Sequence, residues 1–172
     1  EWSFKQDYRA DGALESVTYP TDTQIVYQRS TDEFANPTTI SIVKNGESVN
    51  LATLSFLPGG GPVDQIAFFE EGARETRTYD AAYRAQHIQI VDPELITEED
   101  VLLDYDYAYD GAGNITGIVD SVEPGRSWTY TYDPANRLTS ATAQDAGNGV
   151  YAFGYGDNGL GNRQTYTTNG DE

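Results

Sequence analysis

Residues 128–139 read Trp-Thr-Tyr-Thr-Tyr-Asp-Pro-Ala-Asn-Arg-Leu-Thr, and the fold can be inferred from them. Aromatic residues occupy its alternate positions up to Tyr132, with Thr between them. Successive side chains of a β-strand point to opposite faces, so the alternation predicts a strand with all its rings on one face. The next five residues are rich in turn formers, and the apolar Leu138 opens a returning strand. The stretch therefore predicts a β-hairpin.

The same pattern recurs on both sides of this stretch at a fixed spacing. Residues 105–116 and 151–157 also carry aromatic residues at alternate positions before a turn. The last Tyr of each set is Tyr109, Tyr132 or Tyr155, so each step is 23 residues. We predict one antiparallel hairpin per repeat, in an all-β chain whose successive hairpins form one curved, spiralling sheet.

More degenerate copies lie upstream, around Tyr8 and Tyr79. Alternation also predicts strands within residues 38–43 and 49–57, because the Asn45-Gly46 pair between them is a strong hairpin signal. Residues 92–100 do not fit the pattern, and we predict a loop insertion there. The whole chain, residues 1–172, is predicted to be a single repeat segment with its strongest repeats at about 74–163.

The composition excludes several classes of function. The chain has 28 Asp and Glu against 10 Lys and Arg, a net charge of −18, which repels a phosphate backbone and argues against nucleic-acid binding. It has no cysteine and one histidine, so disulfides, thiolate metal sites and a three-histidine metal site are impossible within it. We expect no cofactor, no bound metal and no insertion into a membrane.

The motif Tyr-Asp-x-x-Gly-Asn-Ile-Thr at 109–116, with Tyr-Asp-x-x-Asn-Arg-Leu-Thr-Ser at 132–140, resembles the YD repeat of the RHS (rearrangement hotspot) proteins. The resemblance is strong over residues 74–163 and weaker from residue 1. It implies hairpins paired side by side in a long sheet that spirals into a hollow shell, as in RHS polymorphic toxins, Tc toxin cocoon components and teneurins. It also implies that the shell encloses a C-terminal toxin and helps to deliver it.

The repeat signature gives a set of residues to which we assign structural roles, in the strands as packing rings and in the turns as residues that fix register. They are Tyr79, Asp80, Arg84, Tyr105, Tyr107, Tyr109, Asp110, Gly113, Asn114, Trp128, Tyr130, Tyr132, Asp133, Asn136, Arg137, Leu138, Tyr151, Phe153, Tyr155, Asn162 and Arg163. No residue is predicted to be catalytic or to bind a cofactor or a metal.

Three other interpretations compete with this one. The aromatic stripes could bind carbohydrate, which makes an adhesive, glycan-binding repeat module the alternative function; packing against neighbouring hairpins is the favoured interpretation. The turn residues Asp80, Asp110 and Asp133 could ligate calcium, but capping of their own turns accounts for them better. No motif supports a catalytic carboxylate pair, so we predict that the chain is not an enzyme. His87, which alternates with Ile88, is predicted to face solvent.

We expect the partners of this chain to be the remainder of a parent RHS shell and its enclosed toxin. Edge strands at the two ends of the segment leave unpaired backbone groups, which makes self-association through these edges a further possibility. The expected location is secreted or on the bacterial cell surface, with any targeting signal outside the chain.

Overall fold

The computed structural model describes residues 3–69, 72–93, 101–145, 149–155 and 163–168. These residues form fourteen β-strands and a short 3-10 turn at Pro124–Arg126. In chain order the strands are β1 (Lys5–Tyr8), β2 (Leu14–Thr18), β3 (Gln24–Arg29), β4 (Pro37–Lys44), β5 (Glu47–Phe56), β6 (Val63–Phe68), β7 (Arg74–Tyr79), β8 (Ala85–Val91), β9 (Val101–Tyr109), β10 (Ile115–Asp120), β11 (Trp128–Tyr132), β12 (Leu138–Ala143), β13 (Val150–Tyr155) and β14 (Arg163–Thr168).

All fourteen strands belong to one sheet, and their order in the sheet is their order in the chain. Every neighbouring pair is antiparallel. The sheet is open, with β1 at one edge of the described part and β14 at the other. The prediction of an all-β chain of consecutive antiparallel hairpins is therefore confirmed.

The cross-strand register separates the side chains into two faces. Tyr107 lies opposite Ile118, which lies opposite Trp128, which lies opposite Ala143. Directly opposed residues share a face, so one side of the sheet collects rings and aliphatic side chains. We call it the ring face; it also includes Tyr105, Tyr130, Tyr151 and Phe153. The opposite side, the polar face, carries mainly Ser, Thr, Asp and Gln, such as Asp106 and Thr142.

The described sheet is a single layer, and its burial reflects this. The buried apolar residues are small: Ala52, Ala141 and Ala143. No large side chain in the described part of the chain is fully buried, and the rings of the ring face are half-buried by their neighbours in the sheet. The ring face is therefore an apolar surface that packs sideways, strand against strand.

Seven hairpins share one construction at the turns that follow the odd-numbered strands. In each of them the register shifts by a β-bulge next to the last residue before the turn, as at Thr131/Tyr132 and Gly154/Tyr155. A bulge adds one residue to one strand and increases the local twist. The predicted Asn45-Gly46 hairpin also forms, and both residues have positive φ, 53° and 82°.

Two sequence predictions fall on parts of the chain that lie outside the described residues. The loop insertion predicted at 92–100 is described only at Asp92 and Pro93, and the description resumes at Val101. Asn162, assigned to the repeat signature, also lies outside the described residues.

Candidate functional site

The candidate site is the row of turns that carry the Tyr-Asp signature. These turns follow odd-numbered strands, so they all lie at the same end of the strands. Three of them, which we call the signature turns, are Asp80–Arg84, Asp110–Asn114 and Asp133–Arg137. Each follows directly on a Tyr that ends an odd-numbered strand. In each turn the first residue donates its backbone N–H to the carbonyl of the fifth at 2.9–3.0 Å, which closes a five-residue loop.

The Asp of each signature turn binds the backbone of its own loop. In the third turn, one carboxylate oxygen of Asp133 accepts the N–H groups of Ala135 at 2.9 Å and Arg137 at 3.0 Å. Its other oxygen accepts Nε of Arg137 at 2.6 Å. Asp80 repeats these bonds with Ala82 and Arg84. In the middle turn Asp110 binds Ala112 and Asn114, with the Asn114 amide in place of the guanidinium.

These bonds favour the charged form of each Asp. The backbone N–H of Arg137 lowers the pKa of Asp133, and its guanidinium adds to the effect. The backbone N–H of Arg84 likewise lowers the pKa of Asp80. For Asp110 the Asn114 side chain is the main cause of a lowered pKa. Since donors of the same loop occupy their oxygens, the three carboxylates act as turn caps.

The fourth residue of each signature turn needs a left-handed backbone conformation. Gly113 has φ 93°, Asn136 has φ 59° and Tyr83 has φ 59°. Gly and Asn adopt this region readily, whereas a bulky aromatic residue does so at a cost. The second and third turns therefore carry residues suited to this conformation, whereas the first carries a strained one. The strained residue, Tyr83, is also exposed.

The Tyr before each signature turn connects its hairpin to the preceding one. The hydroxyl of Tyr109 donates to the carbonyl of Ala85 at 2.7 Å, and that of Tyr132 donates to Ile115 at 2.8 Å. Tyr79 makes the same kind of bond to Val63. In every case the acceptor is the first residue of the returning strand one hairpin earlier.

An Arg completes the connection in the opposite direction. The guanidinium carbon of Arg84 lies 4.5 Å from the ring centre of Tyr109 in the next hairpin, and its Nη1 donates to the carbonyl of Asp110 at 3.3 Å. Arg137 lies over Tyr155 at the same distance, 4.5 Å. A guanidinium over a ring face is attracted by the ring quadrupole. We call this pairing of a turn Arg with the next Tyr, together with the Tyr hydroxyl bond, the inter-hairpin clamp.

One clamp differs. Asn114 occupies the Arg position of the middle turn, and its amide donates to Asn136 Oδ1 in the following turn at 2.9 Å. The link between neighbouring turns is therefore kept, but it is an amide hydrogen bond between two loops, with Tyr132 held by its hydroxyl.

On the ring face, a continuous stack of aromatic residues joins β11, β13 and β14. Ring centres are 6.3 Å apart for Tyr130 and Trp128, 5.9 Å for Trp128 and Tyr151, and 6.2 Å for Tyr151 and Tyr166. Phe153 lies 5.6 Å from Tyr166. In the first three of these pairs the ring planes are within about 25° of parallel, so the rings are stacked.

Small residues make this stack possible. β12 lies between β11 and β13, and it presents Ala141 and Ala143 to the ring face. Both alanines are buried, with 7% and 4% of their surface exposed, because rings of the flanking strands meet above them. A larger side chain at either position would enter the space that the rings share.

Burial within the sheet also affects the ionisation of four Tyr side chains. It raises the pKa of Tyr107 and of Tyr130, and it raises the pKa of the clamp residues Tyr109 and Tyr132. The neutral phenol is the form that can donate a hydrogen bond, so burial favours the form that the clamp uses.

The structure brings most of the described signature residues into two groups. The turn edge holds Tyr79, Asp80, Arg84, Tyr109, Asp110, Gly113, Asn114, Tyr132, Asp133, Asn136, Arg137 and Tyr155; the ring face holds Tyr105, Tyr107, Trp128, Tyr130, Tyr151 and Phe153. Leu138 opens β12 opposite Tyr132. Arg163 opens β14 and lies near Phe153 and Tyr166, at 5.7 and 5.4 Å from their ring centres.

Three features of this geometry lie outside the predicted repeat signature: an Arg at a Tyr position, a further ring in the stack, and the alanines beneath the rings. Arg29 occupies the position of the signature Tyr at the end of β3, and its Nη2 donates to the carbonyl of Leu14 at 3.2 Å. Tyr166 extends the ring stack, and Ala141 and Ala143 form its floor. A weak signal for Tyr166 was present in the sequence. In residues 163–167, Tyr166 alternates with Thr165 and Thr167, which is typical of a strand with its ring on one face.

Comparison with known proteins agrees with this geometry. The family model described as RHS Repeat matches residues 109–150, which span β10 to β12 and two signature turns. Residues 109–150 are therefore similar to an RHS repeat. A search of the curated proteins finds no match to this chain.

Solved structures of Tc toxins share the fold of the whole described sheet. The crystal structure of TcdB2-TccC3-Cdc42 matches with a TM-score of 0.76 and 18% identity, over 99% of this chain and 9% of that chain. The crystal structure of TcdB2-TccC3 matches with a TM-score of 0.77 and 18% identity, over 97% and 9%. A Photorhabdus luminescens Tc holotoxin pore matches with a TM-score of 0.77 and 19% identity, over the same shares. The chain thus spans about a tenth of the length of these solved chains.

A search of the described residues for a helix long and apolar enough to cross a membrane finds none.

Proposed function

We propose that this chain forms part of the wall of a hollow RHS shell, which encloses a C-terminal toxin and helps to deliver it from a secreted or surface protein of a bacterium. The RHS repeat at 109–150 and the fold shared with Tc toxin chains support this assignment. The chain spans 9% of those solved chains, so a complete shell requires many more hairpins of the same kind.

The observation that carries the proposal is the single-layer sheet with two unlike faces. A globular domain buries its apolar face against a second layer, whereas a wall exposes one face to each side. Here the ring face is apolar and the polar face is rich in Ser, Thr and Asp, as at Thr129 and Asp106. We assign the ring face to the interior of the shell, against the enclosed polypeptide, and the polar face to the solvent.

The inter-hairpin clamps supply the mechanism of containment. Each hairpin is bonded to the next through the backbone ladder, and the clamps add a hydroxyl bond and a stacked Arg at the edge where the turns lie. Since each unit depends on its neighbours, stability is distributed along the wall as in other repeat proteins. We therefore assign these residues a structural role: they hold successive hairpins together and so maintain the shape of the sheet.

The direct test is cryo-electron microscopy of the full protein that contains this chain, purified from its native host. We expect residues 5–168 to lie in the wall of a closed shell, with the ring face toward an enclosed segment that resists added protease until the shell is unfolded. A ring face covered by a second folded layer, or an enclosed segment cleaved as fast in the intact protein as after denaturation, would overturn the proposal.

The alternative function, glycan binding by the aromatic stripes, has a separate test. A sugar platform needs open ring faces, whereas Trp128 is stacked against Tyr130 and Tyr151. In a Trp2→Phe variant, Trp128 is the sole tryptophan. We expect its fluorescence to be unchanged by added oligosaccharides; a saturable, sugar-dependent change would instead favour adhesion.

A further inference from the structure

His87, Asp104 and Asp106 converge on the polar face, on the side of the sheet away from the rings. His87 lies on β8 directly opposite Asp106 on β9, and Asp104 lies two residues along the same strand. His87 Nδ1 is 2.9 Å from Asp106 Oδ1 and 3.6 Å from Asp104 Oδ1. The three ligand atoms all lie within 4.8 Å of one another.

We propose that these three side chains bind one divalent transition-metal ion of the Zn²⁺ class, with water completing its coordination. A tetrahedral Zn²⁺ with bonds near 2.1 Å places its ligand atoms about 3.4 Å apart. The observed separations of 2.9 and 3.6 Å bracket that value. Small rotations of the side chains thus suffice to enclose the ion.

The rest of the local structure favours a formed site. Gln89 lies opposite Asp104 and donates its Nε2 to Asp104 Oδ2 at 2.8 Å, which leaves Oδ1 directed toward the histidine. Such a bond to a ligand carboxylate is the usual role of an outer-shell residue. The Asp104 side chain is 18% exposed and the His87 side chain 31%, whereas Asp106 is 58% exposed, so the site opens to solvent on one side.

The donor set determines the class of ion. Two carboxylates alone suit Ca²⁺ or Mg²⁺, but an imidazole nitrogen favours Zn²⁺, Cu²⁺, Ni²⁺ and Co²⁺. The ion would bridge β8 to β9 and so join two adjacent hairpins on the polar face, opposite the rings. We infer that it stabilises this junction, at which the connecting segment between the two strands is longer than at the signature turns.

The test uses tag-free protein, because His87 is the sole histidine of the chain. Titration calorimetry with Zn²⁺ is expected to give one saturable site per chain, with no comparable binding of Ca²⁺. His87→Gln and Asp106→Asn should each weaken Zn²⁺ binding by about tenfold or more. Asp64→Asn removes an acidic group elsewhere on the polar face and should leave the affinity unchanged.

A spectroscopic measurement keeps the test independent of stability. Electron paramagnetic resonance of the Cu²⁺ complex should show coupling to one imidazole nitrogen, which must be that of His87. Binding of Zn²⁺ that His87→Gln leaves unweakened, the absence of nitrogen coupling, or no saturable binding at all would show that the three side chains form a hydrogen-bonded group only, and would overturn the proposal.

Discussion

The three hairpins of residues 74–143 and the three of residues 5–68 belong to one sheet and have the same antiparallel pairing. The residues that stabilise their turns are different. In the first group, each strand before the turn ends in Tyr and the turn begins with Asp. In the second group, the corresponding strands end in Tyr8, Arg29 and Phe56. The bulge at this position occurs in both groups.

The difference separates geometry from the residues that stabilise it. Arg29 reaches the carbonyl of Leu14, the same acceptor position that a signature Tyr would use, and its Nη1 also donates to Ala35 at 3.0 Å. Phe56 has no hydroxyl and cannot make that bond. The hairpin register therefore tolerates several side chains, and the Tyr-Asp signature is one chemically regular way of securing it.

The largest expected effect comes from filling the space beneath the ring stack. Ala141 lies opposite Tyr130 and Tyr151, whereas the buried Ala52 of the N-terminal hairpins lies opposite Ile40 and Phe68. We expect Ala141→Leu to lower the free energy of unfolding by about 2 kcal/mol, because overpacking displaces the stacked rings. Chemical denaturation monitored by tryptophan fluorescence measures the change.

Ala52→Leu should cost less, since aliphatic neighbours and a strand-end Phe rearrange more readily than a ring stack. Ala152→Leu, on the exposed side of β13, is the matched control and should change stability by less than about 0.5 kcal/mol. Equal losses in the Ala141 and Ala152 variants would contradict the account of the stack.

The next effect tests the clamp hydroxyl in both directions. Tyr132→Phe removes the bond to Ile115 and should destabilise the protein by about 1 kcal/mol. Phe56→Tyr gives the N-terminal group the missing hydroxyl, and we expect a gain of about 0.5 kcal/mol through a bond to the carbonyl of Pro37. Urea denaturation of the two variants measures both signs.

Tyr83→Phe is the control for loss of a phenol hydroxyl, because Tyr83 is an exposed turn residue. It should be neutral. If Tyr132→Phe were as mild as Tyr83→Phe, the hydroxyl would not contribute to cohesion between hairpins.

A smaller effect concerns the strained turn. Tyr83 has a φ of 59°, the position at which the third signature turn has Asn136. Tyr83→Asn should raise stability by about 0.5 kcal/mol, because Asn adopts this conformation at lower cost. Thermal denaturation measures the gain, and Asn136→Tyr should produce the opposite change. A loss of stability in Tyr83→Asn would mean that the exposed ring makes contacts that outweigh the strain.

The smallest effect per residue is expected at alkaline pH. Burial raises the pKa of Tyr107, Tyr109, Tyr130 and Tyr132 above the ordinary value near 10. Their contribution to stability is thus complete below pH 10 and is lost as the pH rises through the folded-state values, because the unfolded chain releases these protons first. Denaturation curves between pH 8 and pH 11 should show the loss, reduced when Tyr107 and Tyr130 are replaced by Phe. An unchanged pH profile in that double variant would contradict the assignment.

Sequence reasoning predicted the element type, the hairpin unit and the sheet because alternating rings have one simple structural explanation. It also assigned structural roles to the Tyr, Asp and Arg residues that lie at the signature turns. It did not predict β3, since Ile25-Val26-Tyr27 is a short apolar run without clear alternation. It did not assign the Arg29 bond to Leu14 either. That Arg29 occupies the position of a signature Tyr becomes visible only when the strand register is known.

The convergence of His87 with Asp104 and Asp106 was also beyond the sequence. Spacing within one strand predicts that His87 opposes the Ile face, but the partner across the ladder depends on the register of β8 with β9. Residues 92–100, which connect these strands, do not fit the repeat pattern, so the sequence does not determine the register of β8 with β9. The ring face was predictable by contrast, because the rings repeat every 23 residues.

We infer that neighbouring hairpins are held together by rings that meet across the intervening strand. Nuclear Overhauser contacts between the Trp128 indole and the Tyr151 ring test it most directly, because these residues lie on β11 and β13 with Ala141 and Ala143 of β12 beneath them. In selectively labelled protein we expect strong ring-to-ring contacts, and contacts from both rings to the two alanine methyl groups. Contacts confined to each ring's own hairpin would contradict the claim.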